Sequence, residues 1–198
     1  MKIFDHASRE ENKVALTFDD GPNPFWTPKV LVLLDEFKIK GNFFVIGKWA
    51  EVQTELLKGI HQHGHLIGNH SYSHTRDNGD FQKAENIIMK IIGEDAKYAR
   101  PPYLDGGLCA GYAPAKSGKA KIINADVFPH DYRHTAVEIT DFVLQNTQNG
   151  SIILLHDGST RESDLEQRPK EMFEALPEII KKMQNRFKFA RLDEMNFN

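Results

Sequence analysis

The sequence predicts an α/β protein whose parallel strands form a βα barrel. Three observations carry this expectation. Short apolar runs alternate with stretches of helical periodicity along most of the 198 residues, and repeated βα units imply a parallel sheet. About seven of the runs read as strands, most of them separated by helical segments. Candidate reactive side chains lie at the ends of five different strands: Asp19/Asp20, His70/His74, Arg100/Tyr103, Asp131 and His156. An open doubly wound sheet and a closed barrel both suit the alternation. The reactive groups favour the barrel, because they converge only if the strand ends form a ring.

The elements follow in order. Val14–Phe18 is a short apolar run, expected as a buried strand. Thr27 is the expected cap of the first helix, with Pro28 at its first position and Val30, Leu31, Leu34 and Phe37 at helical spacing. Asn42–Ile46 is the second strand. Trp49, Val52, Leu56 and Ile60 mark one further helix, ended at Gly64. Leu66–Gly68 is a short strand running into His70. Asp80 is the expected N-cap of a helix carrying Phe81, Ala84, Ile87, Ile88 and Ile91.

Lys97–Ala99 is a brief strand before Arg100, and 105–119, rich in Gly, Ala and Lys, is an irregular loop. Lys121–Asn124 is strand-like. Val137, Phe142 and Val143 suggest a helix, and Ser151–Leu155 is a clear apolar strand. Met172, Phe173, Leu176, Ile179, Ile180 and Met183 form a helical stripe interrupted by Pro177, which predicts a kink or two abutting helices. Phe187–Arg191 is the last strand. Residues 1–198 are expected to form a single domain.

Composition narrows the function classes. A hydrophobic fraction of 40% and a charged fraction of 27% are ordinary for a globular protein. The net charge of -3, with Lys and Arg scattered, argues against a nucleic-acid binder. Cys109 is the sole cysteine, so no intramolecular disulfide or cysteine metal cluster is available. No apolar run is long enough to span a membrane. The start lacks the apolar core of a signal peptide, so the chain as written is expected to be cytoplasmic, or exported if its N-terminus was trimmed. His61, His63 and His65 alternate around a helix end and are expected at the surface.

The chemistry lies in ordered motifs: Thr17-Phe18-Asp19-Asp20-Gly21-Pro22, His70-Ser71-Tyr72-Ser73-His74, Arg100-Pro101-Pro102-Tyr103 and Leu154-Leu155-His156-Asp157. On a helical turn His70 and His74 share one face and can share a metal. Two carboxylates at a strand end let one bind the ion while the other stays free as a base. Two imidazoles and a carboxylate leave open positions on a Zn²⁺-type ion, which activates water and polarises a carbonyl. Cleaving an amide requires a general acid, and His156 fits. Arg100 can orient a carboxylate. Pro101 and Pro102 have no N–H, so Tyr103 offers the first donor for an oxyanion after Arg100.

These residues resemble the polysaccharide deacetylase family, which shares the NodB-like chitooligosaccharide deacetylase domain and forms carbohydrate esterase family 4. The resemblance runs from about Lys13 to Leu192. It implies a distorted (β/α)₇ barrel and removal of acetyl groups from N-acetylglucosamine polymers or, in some branches, acetylxylan. By this resemblance Asp19 is the catalytic base, Asp20, His70 and His74 are the metal ligands, and Arg100 holds the base. Tyr103 is the oxyanion donor and His156 the catalytic acid. The metal is a single divalent ion, Zn²⁺ first and Co²⁺ or similar next.

The family's fourth motif usually ends in Asp-Trp. Here Asp131-Tyr132 is the best match, and Asp126 is a rival for the support of His156. Leu154, Tyr132, Phe128 and Trp26 are expected around the substrate. Phe25 and Trp26 follow Asp20, and one of the two is expected to stack on sugar while the other packs the loop. The expected partner is an N-acetylated oligo- or polysaccharide. The alternatives are hydrolysis of a small amide on the same fold and a catalytically silent sugar-binding module.

Overall fold

The computed structural model describes residues 2–76, 80–109, 112 and 120–198. Its strands are β1 (Ile3–Phe4), β2 (Lys13–Asp19), β3 (Asn42–Val45), β4 (Leu66–Asn69), β5 (Tyr98–Ala99), β6 (Lys121–Ile123), β7 (Ile152–His156) and β8 (Lys188–Phe189). All seven expected strands are present, with ends moved by one or two residues. β1 was not expected. The helices are α1 (Thr27–Glu36), α2 (Gly47–Val52), α3 (Thr54–Gln62), α4 (Asp80–Ile92), α5 (Ala136–Asn146) and α6 (Lys170–Met183).

The strands pair in the order β1-β6-β5-β4-β3-β2-β7, every pair parallel, and β8 pairs with the start of β2. The two edges of the sheet, at β1 and β7, are joined at two levels. Ala7 donates to the Gly150 carbonyl at 2.9 Å, and Val127, just beyond β6, forms a parallel bridge with Ile153. The result is the expected distorted βα barrel.

Strand alternation gives the sheet two apolar faces. Val14, Leu16, Phe18, Phe43, Val45, Ile153 and Leu155 pack outward in one cluster with helix residues such as Val30, Leu34, Leu176 and Ile180. Phe18 and Phe43 stack with ring centroids 5.0 Å apart. Ala15, Phe44, Leu66, Tyr98, Ile123 and Ile152 form a separate cluster on the opposite sheet face, inside the barrel. Thr17, Asp19, Leu154 and His156 continue this inner set by period two, which aims them at the mouth of the barrel.

Several local expectations are corrected. The N-cap of α1 is Trp26, not Thr27, and it makes no side-chain cap. The Thr27 hydroxyl is drawn instead into a buried bond with Asp157 and accepts from the Asn23 N–H at 2.8 Å. The single helix expected over 49–60 is two, broken at Gln53 (φ −109°, ψ 45°), and Val52 is exposed. α6 runs through Pro177 as one helix. Losing one backbone bond there costs about 3 kcal/mol in an isolated helix, and the buried face of Met172, Leu176, Ile179, Ile180 and Met183 offsets it. His65 is buried rather than on the surface, and its Nδ1 accepts from the Gly41 N–H at 3.0 Å. Among the described residues, no helix is long and apolar enough to cross a membrane.

Candidate active site

The site begins where β2 stops. Asp19 is the last strand residue and points inward. Asp20 has φ 69°, a left-handed conformation that turns its carboxylate toward the same mouth. That turn is braced on both sides. Ile46 donates to the Gly21 carbonyl at 2.8 Å, and Gly158 lies so close that a Cβ there would fall 2.0 Å from the Asp20 carbonyl oxygen.

His70 and His74 follow β4 on a bend rather than a helix, so their convergence is not the helical geometry that the spacing suggests. Ser71 (φ 66°) and His74 (φ 59°) are left-handed. The bend is held by side chains: Asn69 Oδ1 accepts from the Ser71 N–H at 2.9 Å, the Ser71 hydroxyl accepts from the His74 N–H at 3.0 Å, and Asp80 Oδ2 accepts from the Ser73 N–H at 2.8 Å. The Nε2 atoms of His70 and His74 lie 3.5 and 3.7 Å from Asp20 Oδ1.

Asp20, His70 and His74 fit a metal ion. Their ligand atoms all lie within 4.8 Å of one another, and Asp20 Oδ1 is a buried acceptor with no hydrogen-bond partner. His70 Nδ1 lies 2.8 Å from the Arg100 carbonyl, which requires Nδ1–H and leaves the Nε2 lone pair facing the centre. The charges of these groups respond to one another. Burial pushes the Asp20 carboxyl up, but the nearby imidazoles of His70, His156 and His74 outweigh it, so its pKa falls below the usual range. Burial and the neighbouring charge of His70 bring the His74 imidazole down to about 4, favouring the neutral, ligating form.

Arg100 is fully buried and spends its donors inside the barrel. It donates to Asp19 Oδ1 at 2.7 Å, the Thr17 hydroxyl at 2.8 Å, the Asn124 carbonyl at 2.9 Å and the Ile123 carbonyl at 3.2 Å. Its guanidinium also lies 4.2 Å from the Phe44 ring centroid. The other Asp19 oxygen stands 3.7 Å from His70 Nε2, facing the candidate metal centre.

Across the mouth, Asp131 engages His156 twice, at Nδ1 (2.7 Å) and at the backbone N–H (2.7 Å). The rival Asp126 lies elsewhere. It accepts from Arg9 at 2.8 Å, the Ser151 hydroxyl at 2.9 Å and the Ile152 N–H at 2.8 Å. Burial alone would lower the His156 pKa, but the charge and hydrogen bond of Asp131, then the charges of Asp20 and Asp19, push it up to about 9.

Asp19, Asp20, His70, His74, Tyr103, Asp131 and His156 all line one cavity of about 1130 Å³, together with Leu154, Phe128 and Tyr132. Arg100 lies behind this wall. Tyr132 meets the His156 ring edge-on at 5.5 Å. Tyr103 is left-handed (φ 59°), and the i→i−3 bonds of its turn run from Leu104 N and Asp105 N, so neither uses the Tyr103 N–H. Trp26 is the exception among the expected pocket residues. It is 9% exposed, packs on Phe173 at 5.4 Å and donates from Nε1 to the Glu166 carbonyl, outside the cavity lining. Phe25 is the exposed one of the pair.

The profile of the polysaccharide deacetylase family matches residues 6–108, over half of the chain. The chain belongs to the polysaccharide deacetylase family. Among polysaccharide deacetylases it is similar to a peptidoglycan-N-acetylglucosamine deacetylase of Bacillus cereus, at 35% identity over 93% of this chain and 88% of the relative. It is also similar to a chitooligosaccharide deacetylase of Sinorhizobium fredii, at 35% identity over 73% of this chain and 72% of that one. A crystal structure of a peptidoglycan N-acetylglucosamine deacetylase in complex with 4-naphthalen-1-yl-N-oxidanyl-benzamide superposes with a TM-score of 0.86 and 32% identity, covering 98% and 92% of the two chains. The family and barrel expected from the motifs are therefore met.

Two residues of this polysaccharide deacetylase escaped the sequence reading. Thr17 bonds Arg100 and donates to the Ile153 carbonyl at 2.7 Å, and its signal was its place two residues before Asp19 on the same strand face. Asp157 is fully buried, with a pKa raised to about 7 by burial, and is bonded by the Thr27 hydroxyl. Its pairing with Thr27 joins residues too far apart in sequence to have been read.

Proposed function

We propose that this polysaccharide deacetylase hydrolyses the acetamido group of N-acetylglucosamine residues in a chitooligosaccharide or peptidoglycan chain, releasing acetate. The observation that carries the proposal is the single cavity lined by a metal-binding trio, a second carboxylate and a carboxylate-bound imidazole. The names of the relatives support the substrate class.

A divalent cation held by Asp20, His70 and His74, Zn²⁺ or a similar ion such as Co²⁺, supplies Lewis acidity that polarises a carbonyl and makes water a usable nucleophile near neutral pH. Asp19 takes the proton from the attacking water. Its other oxygen is fixed by Arg100, so the free oxygen faces the reacting centre. The carbonyl oxygen gains negative charge as the tetrahedral centre forms, and the Tyr103 N–H stabilises it. His156 gives its proton to the departing nitrogen as the C–N bond breaks, and Asp131 holds the imidazolium while it is charged. Leu154, Tyr132 and Phe128 enclose the methyl end of the acetyl group.

Acetate release tests the proposal on chitooligosaccharides, peptidoglycan fragments, acetylxylan and small amides, with chelated protein and again after Zn²⁺ or Co²⁺ is restored. Metal-restored release from an N-acetylated glycan is the expected result. Release from small amides alone would replace the reading, and Asp19→Asn protein with normal turnover would remove Asp19 from its role.

A further inference from the structure

Beyond the reacting end, the cavity extends along a wall made by the segment after β7 and the loop before α5. Arg133, Arg161 and Arg168 line this wall. Arg133 and Arg168 both lie over the Tyr132 ring, 5.2 and 4.8 Å from its centroid. Tyr132 touches the His156 ring, so the arginines begin one side chain away from the reacting end.

Among the described residues these guanidinium groups form no ion pair, and the ion-paired arginines are Arg9, Arg76, Arg100 and Arg191. Arg168 Nε is buried without a hydrogen-bond partner. Two carboxylates share the wall, and each is engaged locally. Glu171 Oε2 accepts from the Ala136 N–H at 2.8 Å, and Asp164 Oδ1 accepts from the Ser163 hydroxyl at 2.8 Å.

The backbone carrying Arg161 and Arg168 is tied in place by side chains from other loops. Asn23 donates to the Leu165 carbonyl at 2.7 Å and Trp26 to the Glu166 carbonyl at 2.8 Å. Lys48 donates to the Thr160 carbonyl and Trp49 to the Ser159 carbonyl, each at 2.8 Å. Like charges gathered on a fixed wall repel one another, and a ligand anion relieves that repulsion. The planar guanidinium fork matches a carboxylate and binds it with two parallel bonds.

We infer that this wall is a subsite for a carboxylate carried next to the acetamido sugar, so the preferred substrate is an acidic N-acetylated glycan rather than a neutral one. The inference rests on the deacetylase reading above. The carboxylate has two possible sources: the sugar ring of a neighbouring uronic acid, or an ether- or peptide-linked substituent.

The test compares kcat/KM of the Zn²⁺-loaded enzyme on four substrates of similar length. These are a neutral chitooligosaccharide, a peptidoglycan fragment with free carboxyls, the same fragment amidated, and an oligosaccharide alternating N-acetylglucosamine with a uronic acid. We expect at least a tenfold preference for one carboxylate-bearing substrate at low salt, shrinking as ionic strength rises, and which substrate it is identifies the source. In Arg161→Glu the acidic-to-neutral ratio should fall at least tenfold. Equal kcat/KM on acidic and neutral substrates, or an equal loss on both in Arg161→Glu, overturns the inference while leaving the deacetylase reading intact. If no substrate turns over, calorimetric binding of the free and amidated fragments to the full chain decides. At least tenfold tighter binding of the free form supports the subsite, and equal binding overturns it.

Discussion

Asp131 meets His156 at two points, and the second bond, to the backbone N–H, fixes where the ring stands as well as its charge. A general acid must be protonated to act, so activity is lost as pH rises through its pKa. Asp131→Asn removes the largest influence holding the His156 pKa up near 9. The alkaline limb of kcat/KM should therefore move about 1–3 units toward lower pH in that variant. A limb that stays in place would detach it from His156. His65 gives a stability prediction of opposite origin. Burial holds its folded pKa at about 4, below the ordinary 6.5, so only the unfolded chain binds the proton between those values. Stability is complete above pH 6.5 and falls as pH drops toward 4, by about 1–3 kcal/mol from this group. Denaturant unfolding at several pH values should show that His65→Gln loses this share of the dependence.

At the scale of elements, the turn after β2 and the turn after β7 are one packed unit. Gly158 lies against the Asp20 carbonyl and Gly21 against the Asp157 carboxylate, with a Cβ at Gly21 falling 2.6 Å from Asp157 Oδ1. Gly158→Ala must displace the Asp20 backbone without altering any ligand. We expect metal affinity to fall about 10–100-fold, the usual scale for disturbing a ligand's support, and competition with a chromogenic chelator would measure it. Unchanged affinity would show that the Asp20 turn adapts. One local signal went unread in the sequence: Thr135 and Glu138 form a capping box at the start of α5, in the Thr-x-x-Glu pattern. The helix expected from Val137, Phe142 and Val143 is α5, in which Val143 is buried while Val137 and Phe142 face outward.

The whole molecule joins five strand ends in one ring, and Asp20 after β2 with His70 and His74 after β4 would hold an ion at its mouth. A ligand that binds only the folded chain stabilises it, by about 2.7 kcal/mol at a hundred times its Kd. For a chain of this size each kcal/mol raises Tm by about 2–4 °C. Calorimetry of chelated protein should therefore show a Tm increase of several degrees on adding Zn²⁺. Asp20→Ala should show little of it, and an equal increase in that variant would place the ion elsewhere.

The sequence by itself determined the alternation of strands and helices, the order of the motifs and the chemical types they bring: paired carboxylates, paired imidazoles, a guanidinium and a lone imidazole. These are local properties, encoded in period and spacing, and they sufficed for the barrel and the family. Only the tertiary structure decided which of two similar residues reached the site. Asp131 bonds His156 while Asp126 ties β7 to Arg9, although both follow the same strand. Trp26 is drawn under the segment after β7 while its neighbour Phe25 stays exposed. His65 turns inward to the Gly41 N–H from a run that looked superficial. In each case the choice depends on a partner distant in sequence, and the distances that select it exist only once the ring of strands has formed.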